Sequence, residues 1–173
     1  MIKTEIKYGI ITGLIICFWQ LSEFLLGFHT NKMNIGEYTT YFVVVIPIIT
    51  IYMGIKEKRD KIYSGHISIS RGIRTGLMIS LVATLIVAVY LVFYFNSINP
   101  DFLELSIAYQ KGKLLSRGKT VEQISLEMNQ LKFMFDFVNQ FLFGTLGLLT
   151  SGFIISFALS LFLKKNPDRT LLI

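Results

Sequence analysis

The chain has 173 residues, of which 53% are hydrophobic, and its mean hydropathy is +0.58. This composition is too apolar for an ordinary soluble domain of this size and indicates an integral membrane protein. The formal net charge of +6 is spread over several segments between apolar runs, which argues against a nucleic-acid partner and for the lipid bilayer as the main partner.

Four apolar windows are long enough to cross a membrane, because a hydrocarbon core of about 30 Å needs about 20 helical residues. They cover residues 8–28, 36–55, 76–95 and 137–163. The first window is longer than the apolar part of a secretory signal, and no Ala-x-Ala-like site follows it, so we expect it to be retained. We therefore predict an all-α fold, a bundle of four transmembrane helices that forms a single domain over residues 1–173.

The first predicted helix carries a carboxylate, Glu23, inside its apolar run. A charge costs about 2.5 to 3.5 kcal/mol at the bilayer centre and less near the interface, so partners are expected. Gln20 lies on the same side of the helix, and the start of the fourth span offers Asp136, Asn139 and Gln140. These five residues are the candidate polar cluster. It could be an interhelical hydrogen-bond lock, a protonatable ligand site, or a carboxylate that snorkels to the outer headgroups.

Small residues at four-residue spacing mark one side of three predicted helices. Such residues let membrane helices approach closely, so they indicate packing faces, with the third helix at the centre and homodimerisation as the alternative. The candidate packing seam consists of Gly9, Gly13, Gly72, Gly76, Ser80 and Gly152.

Pro47 interrupts the second predicted helix, where it has no N–H to donate to the carbonyl of Val43. We expect a kink there, with a hinge as the more specific reading. Cys17 is the only cysteine, so no intrachain disulfide can form. We find no spacing typical of metal ligands and no catalytic motif in the sequence, so we expect no metal, no cofactor and no enzymatic activity.

Residues 97–136 separate the third and fourth spans and are predicted to form a helical hairpin. Asn99-Pro100-Asp101 is typical of a helix start, with Asn99 as the cap and Pro100 in the first helical position, and the first helix should stop near Gly118. Thr120 and Gln123 have the spacing of a capping box for the second helix.

An apolar seam with alternating spacings of three and four follows that capping box and leads into the fourth span. A continuous helix from residue 121 to residue 163 would be about 64 Å long, roughly twice the hydrocarbon core. Because the seam is too apolar to stand bare in water, the preceding helix, the membrane surface, a second copy or an envelope protein should cover it. The candidate interaction seam consists of Val121, Ile124, Met128, Leu131 and Phe135.

The basic residues are distributed unequally between the two sides of the predicted bundle. Eleven of the 17 Lys and Arg residues lie in the N-terminal segment, in the loop after the second span and after the fourth span, all near helix ends. The positive-inside rule therefore places both termini in the cytoplasm and the hairpin outside a bacterial cytoplasmic membrane.

Several stretches of the chain resemble one bacterial family. They are "YMGIKEKRD", "YSGHISISRGIRTGLMISL", "NSINPDFLE", "GKTVEQISLEMNQLK" and "SGFIISFALSLFLKK". Together with a basic N-terminus that leads into a glycine-containing helix, they resemble domain-of-unknown-function family 4199. The resemblance implies a four-helix membrane protein of about this length and implies no activity, cofactor or functional residue.

We therefore expect a multi-pass membrane protein that is non-catalytic and acts through protein or envelope contacts, including contacts with a second copy. The alternative is a small transporter or channel subunit that uses Glu23 as a protonatable intramembrane site.

Overall fold

The computed structural model describes residues 3–165, and most of this range is helical. A 3-10 turn at Thr40–Val44 joins the second helix to the third, and a π-helical turn at Tyr94–Ile98 follows the fourth. The seven α-helices are α1 (Lys3–Leu25), α2 (Met33–Thr39), α3 (Val45–Lys61), α4 (Ile69–Phe93), α5 (Phe102–Ser116), α6 (Val121–Met134) and α7 (Phe137–Leu163). The all-α prediction is confirmed for this part of the chain.

Four helical segments are long and apolar enough to cross a membrane: Lys3–Leu25, Met33–Lys61, Ile69–Ile98 and Phe137–Leu163. The prediction of four helices that are long and apolar enough to cross a membrane is therefore confirmed. The first three begin before their predicted windows, and the second and third also end beyond them, because a helix can continue into interfacial residues that an apolar window excludes.

We call the end where α1 and α4 finish and α7 begins the hairpin end, and the opposite end the terminal end.

Helix α4 lies at the centre of the bundle, with its most extensive contacts to α1 and α7. On the α1 side, a Cβ atom at Gly9 or Gly13 would overlap Val82 or Ile86 of α4. A side chain at either glycine would therefore push the two helices apart.

The same close approach occurs between α4 and α7. A Cβ atom at Gly72 would meet Ser160, one at Gly76 would meet Ser156, and one at Gly152 would meet Ser80. The residues of the packing seam thus lie at contacts within this chain. Apolar side chains fill the space around these contacts, and at the terminal end they are Tyr8, Ile51, Ile55, Ile67, Ile79 and Leu163.

Pro47 lies in the first turn of α3 and is buried there. The expected mid-helix kink is replaced by the 3-10 turn at Thr40–Val44, which comes just before α3. A 3-10 turn uses hydrogen bonds three residues apart, so the carbonyls before Pro47 do not depend on its missing N–H.

Helices α5 and α6 form a helical hairpin, as predicted. Gly118 adopts a φ of +77° at the turn, and both hydrogen bonds of the capping box between Thr120 and Gln123 are present. The expected role of Asn99 as a helix cap is wrong, because α5 starts at Phe102 and the Asn99 amide is turned into the protein interior. The cap position belongs to Asp101, whose side chain makes no capping hydrogen bond.

The continuous helix considered for residues 121–163 does not form, because the chain breaks between α6 and α7. The Asp136 carboxylate accepts a hydrogen bond from the Val138 N–H at 3.0 Å and caps α7. The side chains of Asn139 and Gln140 donate to carbonyls at the end of α6, at 2.8 and 2.7 Å. These hydrogen bonds stabilise the start of a new helix at Phe137, although the apolar periodicity alone favours one continuous helix.

Candidate functional site

A buried polar network lies at the hairpin end and begins with Glu23, which is 3% exposed. Beyond α1 the chain turns at Gly27, which has a φ of +81°, and the Phe28 N–H donates to the Glu23 carbonyl at 2.8 Å. Because of this tight turn the chain folds back on itself, and His29 lies next to the end of α1. The His29 Nε2 atom lies 3.5 Å from the Glu23 Oε2 atom.

The network continues from His29 into α4 and the start of the hairpin. The His29 Nδ1 atom lies 2.6 Å from the Tyr94 hydroxyl, and the Asn99 amide donates to the same hydroxyl at 3.2 Å. With a proton on Nε2, the imidazole donates toward Glu23 and accepts from Tyr94, so all three contacts form one directional chain. All four side chains are buried.

Several buried polar atoms near this network have no partner within residues 3–165. They include one carboxylate oxygen of Glu23, the Gln20 carbonyl oxygen, the Trp19 indole N–H and the Tyr90 hydroxyl. A buried polar group without a hydrogen bond costs about 1 to 3 kcal/mol. Each of these four atoms would therefore gain from a hydrogen bond to another molecule.

A cavity of about 460 Å³ lies beside the network, lined by α1, the 3-10 turn, the start of α3, α4 and α7. Apolar residues such as Ile16, Val87 and Leu91 form much of its wall. Six side chains with polar groups interrupt this apolar surface: Gln20, His29, Thr40, Tyr94, Gln140 and Ser151. We call it the main cavity.

A smaller cavity of about 180 Å³ lies between the main cavity and the hairpin. His29, Thr40 and Phe102 line both, so these three residues form the partition between them. Phe102 is the first residue of α5, and its ring meets the His29 ring with centroids 5.3 Å apart. The hairpin therefore contacts the imidazole directly.

A salt bridge fastens the hairpin to α2. The Lys113 ammonium lies 2.5 Å from one Glu37 oxygen and 2.6 Å from the other, and the Gln110 amide donates to the same carboxylate at 3.2 Å. The hydrogen bond to Glu37 raises the pKa of Lys113 above its usual range. This contact is therefore complete at neutral pH. It is lost as the pH rises through the raised pKa of the lysine, and also when acid protonates the Glu37 carboxylate.

The structure divides the predicted polar cluster. Gln20 and Gln140 both line the main cavity, whereas Asp136 and Asn139 serve the break between α6 and α7. None of the three residues expected from the fourth span hydrogen-bonds to Glu23, whose carboxylate instead lies beside the His29 ring. Sequence reasoning missed His29 as a partner, and the available signal was a glycine between it and Glu23 that permits a tight return.

The predicted interaction seam is also divided. Ile124 is 3% exposed, Met128, Leu131 and Phe135 are half-buried, and Val121 is exposed. Seam residues thus lie mainly inside the hairpin. The exposed apolar surface of α6 includes Leu126 and Phe133 instead.

The network can orient a ligand, exchange hydrogen bonds with it or pass a proton between Tyr94, His29 and Glu23. Within the described range, 3–165, no three His, Cys, Asp or Glu side chains come together as a metal site would require. The residues present are therefore suited to hydrogen bonding with a molecule in the main cavity.

A comparison with protein families identifies a matching family model. The model described as "Protein of unknown function (DUF4199)" matches residues 7–165, almost the whole chain. No curated protein and no solved structure matches the chain.

Proposed function

This chain belongs to the DUF4199 family, proteins of unknown function, and we propose that it is a non-catalytic membrane protein that binds a small, largely apolar ligand in the main cavity. The proposal rests on one observation. The walls of the main cavity are mostly apolar, and one of the few polar side chains in them is His29, which contacts both Glu23 and Tyr94. Small-molecule sites are usually cavities of about 300 to 1,000 Å³ with apolar walls and a few polar groups that fix orientation.

The polar groups in the wall define what the ligand offers. The Gln20 carbonyl oxygen is buried without a donor, so a ligand N–H or O–H satisfies it. A small transporter or channel subunit is the more specific form of this proposal. In that form Glu23 carries a proton that His29 passes to or from the cavity.

The hydrogen bonds around the cavity support a non-catalytic role. The Ser151 hydroxyl in the wall donates to the Leu148 carbonyl at 3.0 Å, so it is not activated by a base. Cys17 packs at the edge of an apolar cluster, an environment typical of a structural cysteine rather than a reactive one.

Filling the main cavity tests the proposal. Gly147 lines the cavity and has no atom near the position of an added Cβ, so Gly147→Trp should fold and occupy the space. Leu146→Trp is the matched control, because Leu146 is 56% exposed on the same helix.

We expect a thermal-shift screen of small amphiphiles in detergent to find molecules that stabilise the wild type. A ligand at about 100 times its Kd adds about 2.7 kcal/mol. The same molecules should stabilise Leu146→Trp and leave Gly147→Trp unchanged. Equal stabilisation of both variants would place binding elsewhere.

We also propose that the hairpin lies outside the cytoplasmic membrane of a bacterium and contacts an envelope protein or a second copy of the chain. The bias of basic residues toward the terminal end supports the orientation. The exposed side chains of Leu126 and Phe133 support the contact, since an apolar patch on α6 gains from being covered.

A single labelling experiment tests both statements in a variant with Cys17 replaced. Ser64→Cys places a thiol in the exposed loop between α3 and α4, and Leu126→Cys places one on α6. A membrane-impermeant reagent added to intact cells should label position 126 and not position 64, and it should label 126 more slowly than in the purified protein. Labelling at position 64 would show that the orientation is the reverse of the one proposed. Equal labelling rates at position 126 in cells and in the purified protein would show that no partner covers this part of α6.

A further inference from the structure

A second cavity lies at the terminal end, on the far side of the bundle from His29. Its volume is about 260 Å³, and it is built by the first turn of α1, the last turn of α3 and the start of α4. We call it the basic pocket. Its lining residues are Glu5, Lys58, Tyr63, Arg71, Arg74, Thr75 and Met78.

A buried ion pair forms the floor of the basic pocket. The Lys58 ammonium donates to the Oε1 atom of Glu5, and both residues are buried, at 5% and 4% exposed. The other carboxylate oxygen of Glu5, Oε2, is buried and has no hydrogen-bond partner within residues 3–165. The carboxylate therefore lacks one donor.

The guanidinium groups of Arg71 and Arg74 also line the basic pocket, beside this ion pair. Arg71 lies against the Tyr63 ring, with 4.7 Å between the guanidinium carbon and the ring centroid. Neither Arg71 nor Arg74 forms an ion pair with any residue between 3 and 165. The basic pocket thus offers two arginines that lack an acidic partner in that range and one carboxylate oxygen that lacks a donor.

We propose that the basic pocket binds the phosphate ester of a phospholipid headgroup that also carries an N–H or O–H donor, such as ethanolamine or glycerol. The planar fork of a guanidinium fits phosphate oxygens, so Arg71 and Arg74 hold the phosphate. A bare phosphate has no ester arm to reach the floor. The ammonium or hydroxyl of the arm donates to Glu5 Oε2 and satisfies it.

An apolar depression beside the basic pocket indicates a lipid rather than a soluble ester. It runs along α4 over Ile69, Ile73 and Leu77, and it shares Arg74 and Met78 with the basic pocket. A headgroup bound by the arginines would leave its acyl chains on this surface, next to the hydrocarbon core that the helix crosses.

Native mass spectrometry of the delipidated protein, titrated with single lipids, tests this proposal. Phosphatidylethanolamine and phosphatidylglycerol should bind more tightly than phosphatidylcholine, whose quaternary ammonium has no N–H. The variant with both Arg71→Gln and Arg74→Gln should bind all three at least about tenfold more weakly, since it loses charge-assisted hydrogen bonds. Glu5→Gln should mainly remove the preference over phosphatidylcholine.

Matched controls separate the basic pocket from general surface charge. Lys56→Gln with Lys61→Gln removes the same charge from exposed residues outside the lining and should bind like the wild type. Equal affinity for the three lipids, or equal loss in the control and the arginine variant, would overturn the proposal. Competition by soluble glycerophosphoethanolamine as strong as by the lipid would overturn the lipid as the source.

Discussion

Gly152→Ala is expected to destabilise the bundle by about 1 to 3 kcal/mol, the usual cost of overpacking a tight contact. The added methyl group would overlap both the Cβ atom and the hydroxyl of Ser80 on α4. Neither can move aside freely, because the Ser80 hydroxyl is buried and donates to the Gly76 carbonyl at 3.0 Å. Helices α4 and α7 must then separate along their contact. Thermal unfolding in detergent, followed by circular dichroism, measures the loss.

Gly147→Ala is the control for this prediction, because Gly147 lies on the same helix and its added Cβ meets no atom. Alanine favours the helix over glycine by about 1 kcal/mol, so this variant should be as stable as the wild type or slightly more stable. Equal loss of stability in the two variants would mean that alanine harms α7 without regard to contact with α4.

Lys58→Met is expected to cost about 3 to 5 kcal/mol, because it leaves the buried Glu5 carboxylate without its cation. Methionine has a similar length and keeps the apolar contacts of the lysine stem. The variant should therefore lose stability through charge rather than through packing. Chemical unfolding in detergent, or the yield of folded protein after extraction, reports the loss.

The double variant Glu5→Gln with Lys58→Met separates these two causes. Removing both charges should restore most of the stability, since replacing a buried ion pair by neutral groups is often nearly neutral. If the double variant is as unstable as Lys58→Met alone, lost packing is the cause. A stable Lys58→Met would show that Glu5 does not need its partner.

Local signals were enough to predict the helices. Hydropathy windows located the four spans, and Thr120 with Gln123 marked the start of α6, because these features depend on neighbours within a few residues. The break at Asp136 was missed although its residues were noted. Apolar periodicity favoured continuation, while the capping carboxylate and two amide side chains favoured a new start.

The candidate site could be predicted only in part. Glu23 stood out as a carboxylate in a span, and Gln20 and Gln140 do line the main cavity. His29 was not predicted, because its place beneath Glu23 depends on the path of the loop through Gly27. Asn99 was assigned to a helix cap because its local sequence fits one, and its contact with Tyr94 arises only in the folded bundle.

Small molecules that remain bound to the protein after purification from its native membrane show directly whether a ligand occupies the main cavity. Wild type, Leu146→Trp and Gly147→Trp would be purified in parallel, extracted with organic solvent and compared by mass spectrometry. A small molecule should accompany the wild type and Leu146→Trp in near-stoichiometric amounts and should be lost from Gly147→Trp, whose side chain fills the main cavity. The same set of bound molecules in equal amounts from all three proteins would contradict binding in the main cavity.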